Sequence, residues 1–119
     1  MAQYLLLLYD NPANWQNLSP EDMQKALEKY IAWGAKVRKL GIHVGSDKLT
    51  DGAGRVIRGS GSKARVTDGP FSEGKEVLGG YYAIEAPSYD KAVEVCRDHP
   101  HLEYGGTIEV REVDRSIPQ

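Results

Sequence analysis

With 119 residues, 17 acidic and 15 basic side chains, the chain has a formal net charge of -2, which gives no electrostatic reason to expect nucleic acid or an anionic membrane as partner. Its one cysteine, Cys96, rules out an internal disulfide and fits a reducing, cytoplasmic setting. No apolar run is long enough to span a bilayer and no signal-type opening is present, so a single domain over 1–119 with one modest core is expected.

Gln3 to Tyr9 is short, apolar and bounded by Asp10-Asn11-Pro12, which predicts a central strand. A loop follows over Asp10 to Leu18, carrying Trp15. Ser19-Pro20-Glu21-Asp22 is a helix start: Ser can cap free amides, Pro suits the first helical position, and the carboxylates sit at the positive end of the dipole. Met23, Ala26, Leu27, Tyr30, Ile31, Gly34, Val37 and Leu40 then recur at helical spacing as one apolar stripe, with Trp33 beside it and Gly41 as the stop.

Ile42 to Leu49 is the next strand. Alternation puts His43, Gly45 and Asp47 on one polar face, opposite Ile42 and Val44, where they would line a ligand cleft or a wet interface. The turn Asp51 to Gly54 leads to two short polar strands, Arg55 to Arg58 and Ala64 to Thr67, joined by Gly59-Ser60-Gly61-Ser62 as an exposed hairpin. The hairpin is basic, through Arg55, Arg58, Lys63 and Arg65. It has few aromatics nearby, so a small anion or an acidic partner surface suits it better than nucleic acid.

Asp68-Gly69-Pro70 forces a tight bend, and Phe71, the only Phe, leaves that bend looking buried. Charges Glu73, Lys75 and Glu76 follow, and Val77 to Glu85 is a strand. Ser88 caps a second helix that turns Ala92, Val93 and Cys96 inward and stops at His99-Pro100, because the residue before Pro disfavours helix. Thr107 to Val113 is the last strand. The order strand, helix, strand, hairpin insertion, strand, helix, strand is βαββαβ, an α+β ferredoxin-like arrangement with an antiparallel sheet. Both helices would cover one sheet face and leave the other in need of cover or polarity.

Asp68-Gly69-Pro70-Phe71 with Glu73, Lys75-Glu76 and Gly79-Gly80-Tyr81-Tyr82 resembles the signature of the DGPF-type branch of the YCII-related proteins. The opening Tyr4-Leu5-Leu6-Leu7-Leu8-Tyr9 and the closing Gly106-Thr107-Ile108-Glu109-Val110-Arg111 are similar to that branch too. The resemblance implies a dimeric α/β barrel: a homodimer in which two open sheet faces meet. It also implies a His–Asp pair, with the His on the first helix and the Asp before a Pro after the second. Those places fall at Tyr30 and His99 in this chain, with Asp98 one step earlier.

The candidate catalytic residues are therefore His99, Asp68 and Tyr30. His99 is the titratable group, Tyr30 a hydrogen-bond donor, and Asp68 an orienting carboxylate. His43, Phe71 and Tyr82 are the candidate ligand-binding residues. His99 and His101 flank Pro100, but no Cys pair or third ligand group joins them, so no metal is expected; no cofactor signature occurs. The resemblance implies proton-transfer or elimination chemistry on a small organic ligand. A non-catalytic, regulatory partner module is the alternative, because relatives are similar to modules linked with extracytoplasmic-function sigma factors.

Overall fold

A computed structural model describes residues 1–71 and 74–118; Ser72 and Glu73 of the turn motif lie outside the described residues. The elements in chain order are β1 (Ala2–Asp10), α1 (Ala13–Gln16), α2 (Pro20–Lys39), β2 (His43–Lys48), β3 (Arg55–Arg58), β4 (Arg65–Asp68), β5 (Val77–Ala86), α3 (Tyr89–Cys96), α4 (Pro100–Glu103) and β6 (Thr107–Glu112).

The main sheet is four-stranded with order β2-β5-β1-β6, and every neighbouring pair is antiparallel. With α2 after β1 and α3 before β6, this is the expected α+β ferredoxin-like arrangement. β3 and β4 form a separate two-stranded sheet, the expected hairpin insertion, with a 3-10 turn over Gly61–Lys63 between its strands.

Tyr4, Leu6 and Leu8 of β1 and Ile84 of β5 enter the core, where they meet Trp33 and Val37 of α2 and Ala92 and Cys96 of α3. The Cys96 thiol is buried there, and burial, with Asp98 adding to it, pushes its pKa up to about 11. On the opposite sheet face Leu5, Leu7, Tyr81 and Ala83 stand in register, edged by Asp47 of β2 and by Glu109 and Arg111 of β6.

Ser19 caps α2 by accepting from the Asp22 amide, and Pro20 begins it, as its sequence predicts. The buried face of α2 differs from the expected stripe. Ala26, Trp33, Gly34 and Val37 are buried, whereas Met23, Leu27, Ile31 and Leu40 are exposed. Ala26, Tyr30, Trp33 and Val37 follow the helical period, so the row is rotated and centred on the large Trp33 ring. On α3, Ala92 and Cys96 face inward as expected, but Val93 is exposed and Val95 packs against the core instead.

Candidate functional site

The site grows from the corner that joins α3 to β6. Pro100 stops α3 from continuing: His99 is extended, at φ -67° and ψ 130°. Pro100 then opens a short second turn of helix, α4, with His99 as its cap. That cap is made by the His99 ring. Its Nδ1 accepts from the His101 backbone N–H at 3.0 Å. The corner places both imidazoles inside the protein, with His99 2 % and His101 4 % exposed.

His101 is held at both ring nitrogens. Nε2 lies 2.7 Å from the Tyr9 carbonyl oxygen, which can only accept, so in the neutral ring Nε2 carries the proton. Nδ1 then accepts from the Tyr30 hydroxyl at 2.8 Å. The ring also lies against Gly106, where an added Cβ would overlap it. Both nitrogens are thus committed to the protein.

His99 is different. With Nδ1 accepting, its neutral ring holds the proton on Nε2, and that buried N–H has no hydrogen-bond partner among the described residues. An unpaired buried donor costs about 1–3 kcal/mol. Burial lowers the His99 pKa, the neighbouring His101 lowers it further, and Asp98 opposes both; the result is a value pushed down to about 4. At neutral pH His99 is therefore an uncharged donor and a weak base.

Aromatic rings enclose it. Trp33 lies 4.2 Å from the imidazole between centroids, Tyr82 5.5 Å and Tyr30 5.6 Å. Burial and the Asp10 carboxylate push the Tyr30 phenol far above its ordinary value. Burial likewise raises Tyr82, with Arg38 opposing it. Neither hydroxyl is an acid or base at neutral pH. Trp33 donates its Nε1–H to Asp98 Oδ1 at 3.0 Å, and the other Asp98 oxygen pairs with Lys36. The Lys36 hydrogen bond is the largest cause holding the Asp98 carboxyl below its usual range. His99 and Trp33 both line an open cleft of about 650 Å³ between α2 and the α3–α4 corner, with Lys29, Lys36, Arg97, Asp98 and Glu103 also along it.

The structure brings Tyr30, Tyr82 and His99 together with His43 at the edge of the group; Asp68 and Phe71 lie elsewhere. Asp68 pairs with Arg55 at 3.4 Å on the hairpin and orients neither His99 nor Tyr30. Their partners are a backbone amide and a second imidazole, because β3 and β4 pair with each other rather than with the main sheet. Phe71 is not buried. It is 74 % exposed, beneath the Arg58 guanidinium at 5.4 Å, after a cis Gly69–Pro70 bond.

His43 does not share a face with Gly45 and Asp47. A register shift in β2 pairs His43 with Ile84 on the helix-covered face and Gly45 with Ala83 on the open one. The His43 ring contacts Ser46 Oγ at 3.0 Å and stands 6.5 Å from the Tyr82 ring, at the edge of the aromatic cluster.

Sequence reasoning missed His101 and Trp33 as parts of the site. Spacing from Tyr30 carried a signal for Trp33, one helical turn further along the same face. His101 stood out only as a neighbour of His99 across Pro100; nothing local marked its partners, which lie on β1 and α2.

Comparison with known proteins places these features in a family. A protein of Rhizobium meliloti (strain 1021), itself described only as uncharacterised protein R00369, is 29% identical over 110 residues, covering 91% of this chain and 89% of that protein. The model of the YCII-related domain matches residues 2–116, which takes in every strand of the sheet, the hairpin and the His99 corner. The chain belongs to the YCII-related family.

Proposed function

We propose that this protein binds a small organic molecule in the cleft between α2 and the α3–α4 corner, with His99 as the group that meets it. The buried Nε2–H of His99, without a partner among the described residues and borne by a residue that lines an open cleft, carries this reading. The enzyme-like version is polarisation of a ligand oxygen. A neutral imidazole and a phenol of raised pKa are poor proton abstractors at pH 7, but both donate hydrogen bonds. The protein acts as a homodimer that covers Leu5, Leu7, Tyr81 and Ala83 on the open sheet face.

A library of small organic compounds screened by thermal shift at pH 7 tests the binding role, with His99→Ala as control. Hits that lose their shift in the variant support it. Hits that keep it remove His99 from the site.

A second reading is a regulatory, partner-binding protein. One observation favours it: on the β3–β4 hairpin Ile57 and Val66 face each other across the strands, 67 % and 61 % exposed, among Arg55, Arg58 and Arg65. Such a surface suits an acidic protein partner. Replacing both apolar residues with Ser would abolish that association and leave ligand shifts intact.

A further inference from the structure

The polar groups around the cleft restrict its ligand more narrowly than size does. His99 lines the cleft, and its buried Nε2–H, an uncharged donor without a partner among the described residues, is fixed in that tautomer by the His101 amide on Nδ1. The cleft walls are in part apolar: Trp33, tilted by 49° against the imidazole, lies beside it, and Ala32, Pro100 and Leu102 add apolar surface.

The mouth is charged and unbalanced. Lys29 is matched by Glu103 at 2.9 Å and Lys36 by Asp98, all four lining the cleft. Arg97 also lines it, but its partner Glu94, at 3.0 Å, is not part of the lining. The lining therefore carries one cation more than it carries acids, on an exposed and flexible side chain.

We propose, building on the binding role above, that the cleft takes a small flat organic monoanion whose uncharged oxygen accepts the His99 Nε2–H while its carboxylate faces Arg97. A hydroxy- or oxo-substituted aromatic acid has this form. The inner oxygen satisfies the buried side-chain donor left unpaired among the described residues, and the outer charge meets Arg97, whose partner Glu94 lies outside the lining. A ligand with a cationic end meets Arg97 and both lysines unfavourably. A ligand without the inner oxygen leaves the Nε2–H unpaired.

Four probes separate these contributions: 4-hydroxybenzoate, benzoate, 4-hydroxybenzamide and tyramine. Binding is titrated by amide NMR, with the His99 Nε2 nitrogen followed in long-range proton–nitrogen spectra. The expected result is that 4-hydroxybenzoate shifts His99 Nε2 and binds about tenfold tighter than benzoate or 4-hydroxybenzamide, with tyramine weakest. His99→Phe removes the preference over benzoate. Arg97→Glu, an exposed change that spares the fold if His99→Phe does not, removes the preference over 4-hydroxybenzamide.

Equal affinity for benzoate and 4-hydroxybenzoate overturns the pairing with His99. Tyramine binding as tightly as the acids overturns the charge assignment. Shifts confined to residues away from α2 and α4 overturn the location. If none of the four probes binds while the wider library still gives His99-dependent hits, the ligand class is wrong and the binding role stands. If the library also gives none, both fall.

Discussion

His99 joins folding to protonation. Its pKa in the folded protein is pushed down to about 4 from its ordinary value of 6.5. Between those values the unfolded chain takes up a proton that the folded one refuses. The stabilisation is therefore complete above about pH 6.5 and is lost as pH falls towards about 4. Burial of the ring sets most of this window; the neighbouring imidazole of His101 lowers the pKa further, and the Asp98 carboxylate raises it. The full shift corresponds to about 3 kcal/mol. Urea unfolding at pH 7 and pH 4.5 should show a drop of that order, and His99→Gln should flatten it. An undiminished drop in the variant would assign the pH dependence to other groups. Gly106 gives a second test at the same scale. A Cβ there collides with the His101 ring, so Gly106→Ala should cost about 1–3 kcal/mol and disturb the contacts to Tyr30 and Tyr9.

Among the elements, the β3–β4 hairpin stands apart from the rest. Its residues are exposed along nearly the whole length, and its strands pair only with each other. Two strands without a covered face contribute little to global stability. Changing Ile57 and Val66 to Thr together should move the urea midpoint by no more than about 0.5 kcal/mol equivalent. A larger loss would mean that the hairpin packs on the body in solution. The hairpin was legible in the sequence because Gly-Ser turns and short polar strands are local signals. The same holds for the Ser19-Pro20 start of α2 and the Pro100 stop after α3. What misled was alternation carried through an irregularity: one register shift at His43 and Gly45 put His43 on the other face. The burial of Phe71 was inferred from residue type alone, and a lone aromatic beside a turn can equally lie under an arginine. The site itself was half visible. Tyr30 and His99 were singled out, but their true partner, His101, is defined by contacts more than ninety residues away on β1, which no short window contains.

For the molecule as a whole, the open sheet face decides the proposed assembly. Leu5, Leu7, Tyr81 and Ala83 form an apolar centre with Asp47, Glu109 and Arg111 at its edges, the layout of an interface with a polar rim. The chain is slab-like, with extents of 47 × 45 × 18 Å, so stacking a second slab on this face thickens the body without lengthening it. Sedimentation velocity should give a dimer of roughly twice 13.2 kDa, and Leu7→Lys, a charge placed at the centre, should give a folded monomer. A wild-type chain that stays monomeric at every concentration would end the pairing.

The sulfur of Cys96 sits in the hydrophobic interior with its proton firmly held, so an alkylating reagent in solution finds neither access nor a thiolate. Labelling can then proceed only during the brief intervals when the interior opens. Its rate, read by mass spectrometry without any added dye, becomes a clock for those openings, and a ligand that occupies the cleft should slow it.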